Sequence, residues 1–263
     1  MNRNATLFQL SDVSFSYRQT RVLAEIDLQL CSGRFYGLLG ANGSGKSTLI
    51  ELLMGGHKAL TGEVLYKNKS IESYSRQELA KQLALVPQHF AMNFEYQVSD
   101  VVLMGRHPHI PRFSSPAKND LQAVEEAMQI MDISHLQSRP VSALSGGELQ
   151  RVVMARALAQ GTEVLILDEA TSSLDIHHTI AIMQVMRKRV ETKGLTVIAA
   201  IHDLNLAAAF CDECLVLKEG RLFDHGPVAE IFTSDLLHTA FAVEATVHHH
   251  ENNGRPQIQF RYQ

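Results

Sequence analysis

The stretch GANGSGKST at residues 40–48 constrains the fold more than any other part of this 263-residue chain. It follows the short apolar segment FYGLLG, which predicts a strand, and runs into KSTLIELLMGG, which predicts a helix. In this setting Gly43 and Gly45 let the backbone N–H groups turn inward around a phosphate. Lys46 is then placed to reach the outer phosphates, and the Ser47 hydroxyl to bind Mg²⁺. The motif predicts a strand–loop–helix unit that holds a nucleotide phosphate.

The remaining patterns predict an α/β chain around this unit. The first forty residues alternate apolar and polar side chains and predict antiparallel strands. From residue 161 onward strands alternate with helices, which is typical of a parallel sheet with ligands at its carboxyl edge. Between these parts the pattern is helical. We therefore expect one domain over 1–263, made of a nucleotide-binding α/β core (1–88 plus 161–240), an inserted helical subdomain (89–160) and a C-terminal tail (241–263).

Composition limits the functional classes. The chain has 45% hydrophobic and 20% charged residues, as an ordinary soluble globular protein does. Its formal net charge of −4 gives no general attraction to nucleic acid, so none is expected as a partner. There is no run of about 18 apolar residues, and the first residues lack the apolar region of a signal peptide. These features predict a cytoplasmic location.

Two carboxylates end the apolar segment VLILDE at residues 164–169. Asp168 would bind the metal ion, directly or through water, and Glu169 would polarise an attacking water molecule. Alone, an apolar strand that ends in Asp-Glu is more often a strand entering a turn. Beside a phosphate loop, the pair indicates hydrolysis of a nucleotide.

A second glycine turn lies about a hundred residues beyond the first. The sequence LSGGELQRVVMARAL at 144–158 places Ser145 and two glycines at the start of a basic amphipathic helix. Backbone N–H groups at a helix N-terminus attract anions. The chain thus carries two candidate phosphate-binding turns.

These motifs, with four more, stand in the order found in ATP-binding subunits of ABC transporters, which the chain resembles over essentially its whole length. The further motifs are FSYRQ with Tyr17, LVPQH with Gln88, SSLD with Asp175 and AAIHDLN with His202. The resemblance implies a P-loop NTPase core of parallel strands, an N-terminal antiparallel β subdomain and the inserted α-helical subdomain. One departure is Ala170, where the family usually has proline after the Walker B glutamate.

The resemblance also implies roles for these residues, with ATP and Mg²⁺ as cofactors. Glu169, His202 and Lys46 would be catalytic, Asp175 would belong to the D-loop, and Tyr17 would stack on adenine. The Mg²⁺ ligands would be Ser47, Gln88 and Asp168. The nucleotide would be bound by Tyr17, Gly40, Asn42, Gly43, Ser44, Gly45, Lys46, Ser47, Thr48 and Gln88.

Two subunits of this family meet head to tail, so the resemblance implies a homodimer. The second turn, with Ser145, Gly146, Gly147 and Glu148, would then cap the ATP bound by the other subunit. Further implied partners are two copies of a separate transmembrane permease subunit and, indirectly, an extracytoplasmic substrate-binding protein. The chain would lie peripherally on the cytoplasmic face of the inner membrane.

The stretch VSDVVLMGRHPH and the tail FAVEATVHHHENNGRPQIQF resemble importers of iron–siderophore, haem and cobalamin. Molybdate-type importers share VVLMGR and are the near alternative. A cytosolic ATPase of DNA repair or of the ribosome is the rival class, although such members carry long insertions or tandem cassettes. A nucleotide-binding module without turnover is disfavoured by Glu169 and His202.

Two further patterns have ordinary explanations. Cys211 and Cys214 form a Cys-x-x-Cys pair without a second pair elsewhere, which favours buried small side chains over a metal or redox site. His248, His249 and His250 cannot all face one ion, because neighbouring side chains diverge. We expect the tail to be a solvated loop, with metal regulation as the alternative.

Overall fold

The computed structural model describes residues 5–88, 90, 95–171, 174–251 and 253–261, which form an antiparallel sheet, a larger mixed sheet, a small hairpin and a set of helices. The strands and helices of the described chain, numbered in chain order, are β1 (Thr6–Tyr17), β2 (Thr20–Cys31), β3 (Phe35–Leu39), α1 (Lys46–Leu53), β4 (Thr61–Tyr66), β5 (Lys69–Ser70), α2 (Arg76–Ala80), β6 (Leu83–Val86), α3 (Val98–Leu103), α4 (Lys118–Ile130), α5 (Gly146–Ala159), β7 (Val164–Leu167), α6 (Ile176–Lys193), β8 (Thr196–Ala200), α7 (Leu204–Phe210), β9 (Glu213–Lys218), β10 (Arg221–Pro227), α8 (Val228–Ile231), α9 (Ser234–Phe241), β11 (Ala245–His249) and β12 (Pro256–Phe260).

The N-terminal sheet has the strand order β2-β1-β4-β5, and all its pairs are antiparallel. This confirms the antiparallel strands predicted for the start of the chain. Apolar and polar side chains alternate along the long strands because only one face of this sheet is covered. On that face Phe8 and Leu10 of β1 and Ile26 of β2 are buried in one apolar cluster with residues of α1 and β3. Strand β1 bulges around Asp12, whose φ is 51°.

The larger sheet has the strand order β10-β9-β3-β8-β7-β6. Strands β9, β3, β8, β7 and β6 are parallel, and β10 pairs antiparallel with β9 at the edge. All five residues of β3 are buried, as expected for a strand covered on both faces. The carboxyl ends of β3, β6, β7 and β8 meet at one edge, which is where the predicted phosphate loop, Gln88, Asp168 and His202 follow.

Helices α3, α4 and α5 occupy the segment between β6 and β7, as the helical pattern predicted. Val101, Met128 and Val153 from these helices share one buried cluster with Leu165 and Leu167 of β7. Helix α5 therefore packs against β6, and α3 and α4 pack on α5 within the same apolar core. Their description as a separate subdomain over 89–160 stays a prediction.

The C-terminal tail corrects one expectation. Strands β11 (Ala245–His249) and β12 (Pro256–Phe260) pair antiparallel, where a solvated loop was expected. The Asn205 side chain holds the hairpin to α7, since its Nδ2 donates to the Ile258 carbonyl at 3.0 Å and its Oδ1 accepts from the Ile258 N–H at 2.8 Å. Ile258 itself is buried. His248, His249 and His250 remain exposed.

Cys211 and Cys214 are both fully buried, as predicted for small core side chains. Burial raises the pKa of the Cys211 thiol well above its usual value, which keeps it protonated and unreactive. Within the described helices, none has both the length and the apolar character needed to cross a membrane.

Candidate functional site

The loop between β3 and α1 has the shape that its glycines predict. Helix α1 starts after Gly45, whose φ of 104° lies in the left-handed region that favours glycine. Asn42, Gly43 and Ser47 are exposed at the mouth of the loop, while Ser44 lies beneath it. The Ser44 Oγ is buried and has no hydrogen-bond partner among the described residues. A buried hydroxyl without a partner in a phosphate-loop sequence fits a missing anionic ligand.

Lys46 is 4% exposed and lies across this loop. Its Nζ donates to the carbonyl oxygens of Gly40 at 2.9 Å and Ala41 at 3.2 Å, and it lies 3.7 Å from Glu169 Oε1. Burial lowers the pKa of Lys46, although Glu169 and Asp168 act in the opposite direction. A buried cation held only by neutral carbonyls and one longer ion pair fits an anion at the same place.

Ser47 and Asp168 meet at the carboxyl ends of β3 and β7. The Ser47 Oγ donates to Asp168 Oδ1 at 3.2 Å, and the Asp168 N–H donates to the Val86 carbonyl at 2.9 Å. Burial raises the pKa of Asp168. A hydroxyl oxygen and a carboxylate oxygen side by side are the hard ligands that Mg²⁺ takes in proteins. The donor set therefore fits the predicted metal.

Glu169 is the centre of the site and has three partners from different elements. Its Oε2 accepts from Gln88 Nε2 at 2.7 Å, and its Oε1 lies 2.8 Å from His202 Nε2. Lys46 is the third partner. Glu169 has a φ of 51°, which is uncommon for a residue with a side chain and indicates a turn determined by its surroundings. The structure thus brings together four of the predicted site residues.

Gln88 was also predicted as a ligand of the metal. In this structure its Nε2 is directed to Glu169 rather than to the Ser47–Asp168 pair. Gln88 follows β6, so it connects the site to the segment that leads into α3. Its place as a metal ligand stays a prediction.

Tyr17 lies at the end of β1 and is 44% exposed. Its hydroxyl donates to Glu51 Oε2 at 2.7 Å and lies 3.2 Å from His57 Nε2, and its ring meets the rings of Phe15 and His57 edge-on. Sequence reasoning missed Glu51 and His57, which are 34 and 40 residues away along the chain. One signal was available: Glu51 is one turn after Ser47 on α1.

The second glycine turn opens α5. Ser145 caps this helix, since its Oγ accepts from the Glu148 N–H at 3.3 Å and its own N–H donates to Glu148 Oε2 at 2.7 Å. Two hydrogen bonds from Ser145 hold the pKa of Glu148 below its usual value, and the bond from the hydroxyl has a larger effect than the bond from the N–H. Among the described residues, no hydrogen bond or ion pair joins this turn to the phosphate loop of the same chain.

Asp175 precedes α6 and caps it through a bond from the His178 N–H to its Oδ1 at 2.9 Å. The ring of His178 and the side chain of Leu174 are the groups nearest to Gly147: a Cβ built there would lie 4.0 Å from the ring and 3.9 Å from Leu174 Cδ2. The Asp175 turn therefore lies against the second glycine turn within one chain.

Comparisons with known proteins agree with this geometry. The family model described as ABC transporter matches residues 23–172. The chain is 40% identical to the cobalamin import ATP-binding protein BtuD of Halobacterium salinarum strain R1, over 87% of this chain and 57% of that protein, so it spans little more than half the length of that relative. It is 37% identical to the hemin import ATP-binding protein HmuV of Pseudomonas aeruginosa, over 97% of this chain and all of that protein.

A solved structure extends the similarity to the whole fold. The chain superposes on a chain of an ABC transporter assigned to the metal-chelate type, in an inward-facing conformation, with a TM-score of 0.85 and 28% sequence identity. The match covers 98% of both chains. The tail hairpin and the segment with α3, α4 and α5 thus lie within the part that the two chains share.

Proposed function

The chain belongs to the ABC transporter family, as an ATP-binding subunit, and from this premise we propose that it hydrolyses ATP to power import through a separate membrane permease. The observation that carries the proposal is the position of Glu169, which contacts Lys46, Gln88 and His202 beside the phosphate loop. A carboxylate in this position is suited to polarise water for attack on the terminal phosphate.

The phosphate loop binds the nucleotide through groups that the chain already directs inward. Lys46 exchanges its carbonyl contacts for phosphate oxygens, and the Ser44 hydroxyl gains the partner it lacks. Backbone N–H groups at the start of α1 add to the favourable field. The proposed nucleotide contacts are Tyr17, Gly40, Asn42, Gly43, Ser44, Gly45, Lys46, Ser47, Thr48 and Gln88.

Ser47 and Asp168 are the proposed Mg²⁺ ligands, with Gln88 as a further one. When bound, Mg²⁺ neutralises charge on the phosphate oxygens. Asp168 binds it best as a carboxylate, and a nearby cation favours that charged form. The Ser47 hydroxyl is already turned toward Asp168 and needs only a small displacement to share an ion with it.

Glu169 activates water only if one of its oxygens is accessible. In this structure Gln88 contacts Glu169 Oε2 and His202 contacts Glu169 Oε1, so a water molecule must compete with them for these oxygens. We therefore expect at least one of these two contacts to break before ATP is hydrolysed. Gln88 leads into the segment with α3, and we propose that this segment meets the permease. The contact of Gln88 with Glu169 then links the site to the permease.

The second glycine turn completes the site of a partner copy. Residues Ser145, Gly146, Gly147 and Glu148 do not meet their own phosphate loop in the described part of the chain. Apart from the adjoining residues and the backbone of the same helix, no described atom lies within 4 Å of the place where a Cβ of Gly146 would stand. The start of α5 is therefore open to an anion from outside the chain. A head-to-tail homodimer places the ATP of one subunit there and brings the Asp175 turn to the same interface.

The cargo proposed is an iron chelate, haem or cobalamin. Support comes from the relatives named for cobalamin and hemin import and from the metal-chelate type of the similar structure. The proposed assembly contains two of these chains, two permease subunits and, indirectly, an extracytoplasmic substrate-binding protein. The chain then lies peripherally at the cytoplasmic face of the inner membrane, with no role for nucleic acid.

A molybdate-type importer is the alternative cargo class, and a cytosolic ATPase without a permease is the alternative function. Purification from the native membrane separates the two functions. Recovery with a polytopic membrane protein supports transport, whereas stable recovery with nucleic acid or ribosomes supports the second.

The substitution Glu169→Gln tests the proposed chemistry. An amide keeps the size of the side chain but cannot polarise water, so steady-state ATP hydrolysis is expected to fall by about 10²-fold or more. ATP affinity is expected to stay within about threefold, because the phosphate loop is unchanged. Both quantities are measured on the purified protein, together with ATP-dependent dimer formation by size-exclusion chromatography.

The matched control is Glu230→Gln, which makes the same change at an exposed position on α8. It is expected to hydrolyse ATP at the rate of the unchanged protein. Near-normal hydrolysis by the Glu169→Gln protein would contradict the role proposed for Glu169.

A further inference from the structure

Three potential metal ligands converge at the start of α6, outside the phosphate loop. Asp175, His177 and His178 each offer one ligand atom, and these atoms all lie within 4.8 Å of one another. In the described part of the chain this is the only set of three or more histidine, cysteine or acidic residues that meets so closely. Asp175 and His177 are exposed, and His178 is half-buried.

The backbone beneath these side chains is ordered by the helix cap. The His178 N–H donates to Asp175 Oδ1 at 2.9 Å, and the Thr179 N–H donates to the Asp175 carbonyl at 3.0 Å. The His178 Nδ1 lies 2.8 Å from Asp175 Oδ2, so one imidazole–carboxylate pair already exists. The ligand atom of His177 lies within 4.8 Å of those of this pair, and the centroids of the His177 and His178 rings are 5.4 Å apart.

The distances agree with a small ion. Metal–nitrogen and metal–oxygen bonds of about 2.0–2.2 Å place neighbouring ligands about 3.3–3.5 Å apart in a tetrahedral site. The Asp175–His178 pair, 2.8 Å apart, must widen by about 0.5–0.7 Å when an ion lies between the two atoms. A separation of 4.8 Å, the upper limit for the three atoms, must shorten by about 1.3–1.5 Å. Both changes are within the reach of exposed side chains.

We propose that Asp175, His177 and His178 form a binding site for a divalent transition-metal ion such as Zn²⁺. Two imidazoles and one carboxylate suit Zn²⁺, Co²⁺ or Ni²⁺ better than Mg²⁺ or Ca²⁺, which prefer oxygen ligands. The site is therefore distinct in chemistry from the Ser47–Asp168 pair. Water completes the coordination, because the three protein ligands come from one short exposed segment.

The position of the site gives the ion a regulatory effect, which rests on the proposed function. The His178 ring is next to Gly147 of the second glycine turn. In the proposed head-to-tail dimer, Asp175 and His178 lie at the interface. An ion bound to both side chains would fix their positions and oppose any change in them as the dimer closes. Bound Zn²⁺ is then expected to slow ATP-driven dimer closure.

The tail histidines are a competing location for a metal ion and must be controlled. His248 lies on β11, and His250 directly follows the strand, where its N–H still donates to the Arg255 carbonyl at 2.9 Å. His249 lies between them, with its Nε2 3.3 Å from the Ala229 carbonyl. Residues two apart on a strand share a face. These two histidines therefore offer a two-ligand site at most.

Binding is tested by titrating the metal-free protein with Co²⁺ in excess Mg²⁺ and without nucleotide, following the visible absorption of bound Co²⁺. The unchanged protein is expected to bind one ion per chain with nitrogen ligation. The substitution His177→Asn removes one ligand and is expected to weaken binding at least about tenfold, since even the loss of an outer partner of a metal ligand has that effect. The double control His248→Asn with His250→Asn is expected to leave binding unchanged.

Equal Co²⁺ affinity and stoichiometry in the unchanged protein and the His177→Asn protein would overturn the site, as would loss of binding only in the tail control. Inhibition is measured separately, as ATP hydrolysis and ATP-dependent dimer formation with increasing Zn²⁺ in excess Mg²⁺. The His177→Asn protein is expected to hydrolyse ATP normally without Zn²⁺ and to need at least about tenfold more Zn²⁺ for half inhibition.

The two possible negative results contradict different parts of the proposal. Co²⁺ binding by the Asp175 site without any inhibition would overturn the regulatory effect and keep the site. Absence of ATP hydrolysis by the unchanged protein in excess Mg²⁺ without Zn²⁺ would contradict the proposed function and leave the Co²⁺ titration as the test of the site.

Discussion

Gly40 and Gly146 differ in what a side chain would meet at their positions. At Gly40 φ is 148°, and a Cβ would lie 2.4 Å from the Leu217 carbonyl oxygen and 2.5 Å from Ser44 Oγ. The folded chain itself excludes a side chain there. At Gly146 the structure leaves open space, so the fold alone does not explain the glycine. A requirement for glycine at this position is expected to come from a group outside the chain, such as the phosphate of a partner's nucleotide.

Tyr17 gives a prediction about base recognition. Replacement of Tyr17 by alanine removes the aromatic face and is expected to weaken ATP binding by about 1–3 kcal/mol, the range for a base stacked on an aromatic ring. Replacement by phenylalanine keeps the face and loses only the contacts of the hydroxyl with Glu51 and His57. Its ATP affinity is therefore expected to stay close to that of the unchanged protein.

Isothermal titration of each Tyr17 variant with Mg-ATP measures both affinities, and thermal unfolding checks that the N-terminal sheet is intact. Unchanged affinity in the alanine variant would make Tyr17 an ordinary strand residue whose hydroxyl ties β1 to α1. Loss of affinity in the phenylalanine variant would instead assign the effect to the hydroxyl network.

Among the elements, α5 depends on a polar network at its C-terminal end. Arg106 Nη1 donates to the Ala159 carbonyl at 2.8 Å, and Arg106 Nε donates to Asp120 Oδ1 at 2.9 Å. The Ala117 N–H donates to Asp120 Oδ2 at 3.0 Å and so caps α4. The Arg106–Asp120 pair thus joins the end of α5, the start of α4 and the turn after α3.

The Asp120 carboxylate gives a pH-dependent prediction. The hydrogen bonds from the Ala117 N–H and from Arg106 hold the pKa of Asp120 below its usual value, and the bond from Ala117 has the larger effect. Its contribution to stability is therefore complete above the unfolded pKa of about 3.9 and is lost as the pH falls through the lower folded value. The substitution Asp120→Asn is expected to lower the free energy of unfolding by about 1–2 kcal/mol at neutral pH. The difference from the unchanged protein should shrink below about pH 4.

Urea unfolding at neutral and acidic pH measures both differences. The control Asp235→Asn makes the same change in the first turn of α9, where the aspartate is exposed, and is expected to have a small effect. A stability loss in the Asp120→Asn protein that stays constant between pH 7 and pH 3 would contradict an ionic origin.

The elements differ in how well the sequence predicts them. The strand before the phosphate loop is a short but wholly apolar segment, and the alternation after residue 161 is a long, regular pattern; the structure confirms both. The hairpin β11–β12 is missed, because five-residue strands with three consecutive histidines look like a polar loop. What fixes this hairpin is the Asn205 amide on α7, a contact over 53 residues that no local pattern contains.

For the whole molecule, topology explains why the site residues meet. Parallel strands deliver the phosphate loop, Gln88, Asp168 and His202 to one edge of the sheet, so their proximity follows from the strand order. The strand order does not predict that Glu169 contacts Lys46, Gln88 and His202, because these contacts depend on the side-chain directions of residues in three different loops. The proposed head-to-tail assembly of two chains would account for two glycine turns that do not touch within the described part of one chain.

That assembly gives the last prediction, in which one subunit carries Lys46→Ala and the other Gly146→Asp. The first change removes the cation of the phosphate loop, and the second places a carboxylate against the phosphate of the partner's nucleotide. Either homodimer then has two damaged sites. In a head-to-tail mixed dimer both changes fall in one site and the other is intact. The mixed dimer, isolated with two affinity tags, is therefore expected to hydrolyse ATP in a single turnover, whereas neither homodimer does.

Folding is not expected to obscure the result. Gly146 has open space around it and stands at the start of α5, where a negative charge is favourable to the helix. Circular dichroism and thermal unfolding of each variant check this directly. Single turnover is measured because steady cycling fails if both sites must act in turn. If each site were built from one chain alone, both sites of the mixed dimer would be damaged. A mixed dimer that forms yet hydrolyses no more ATP than the homodimers would then show that residues 144–148 do not complete the partner's site.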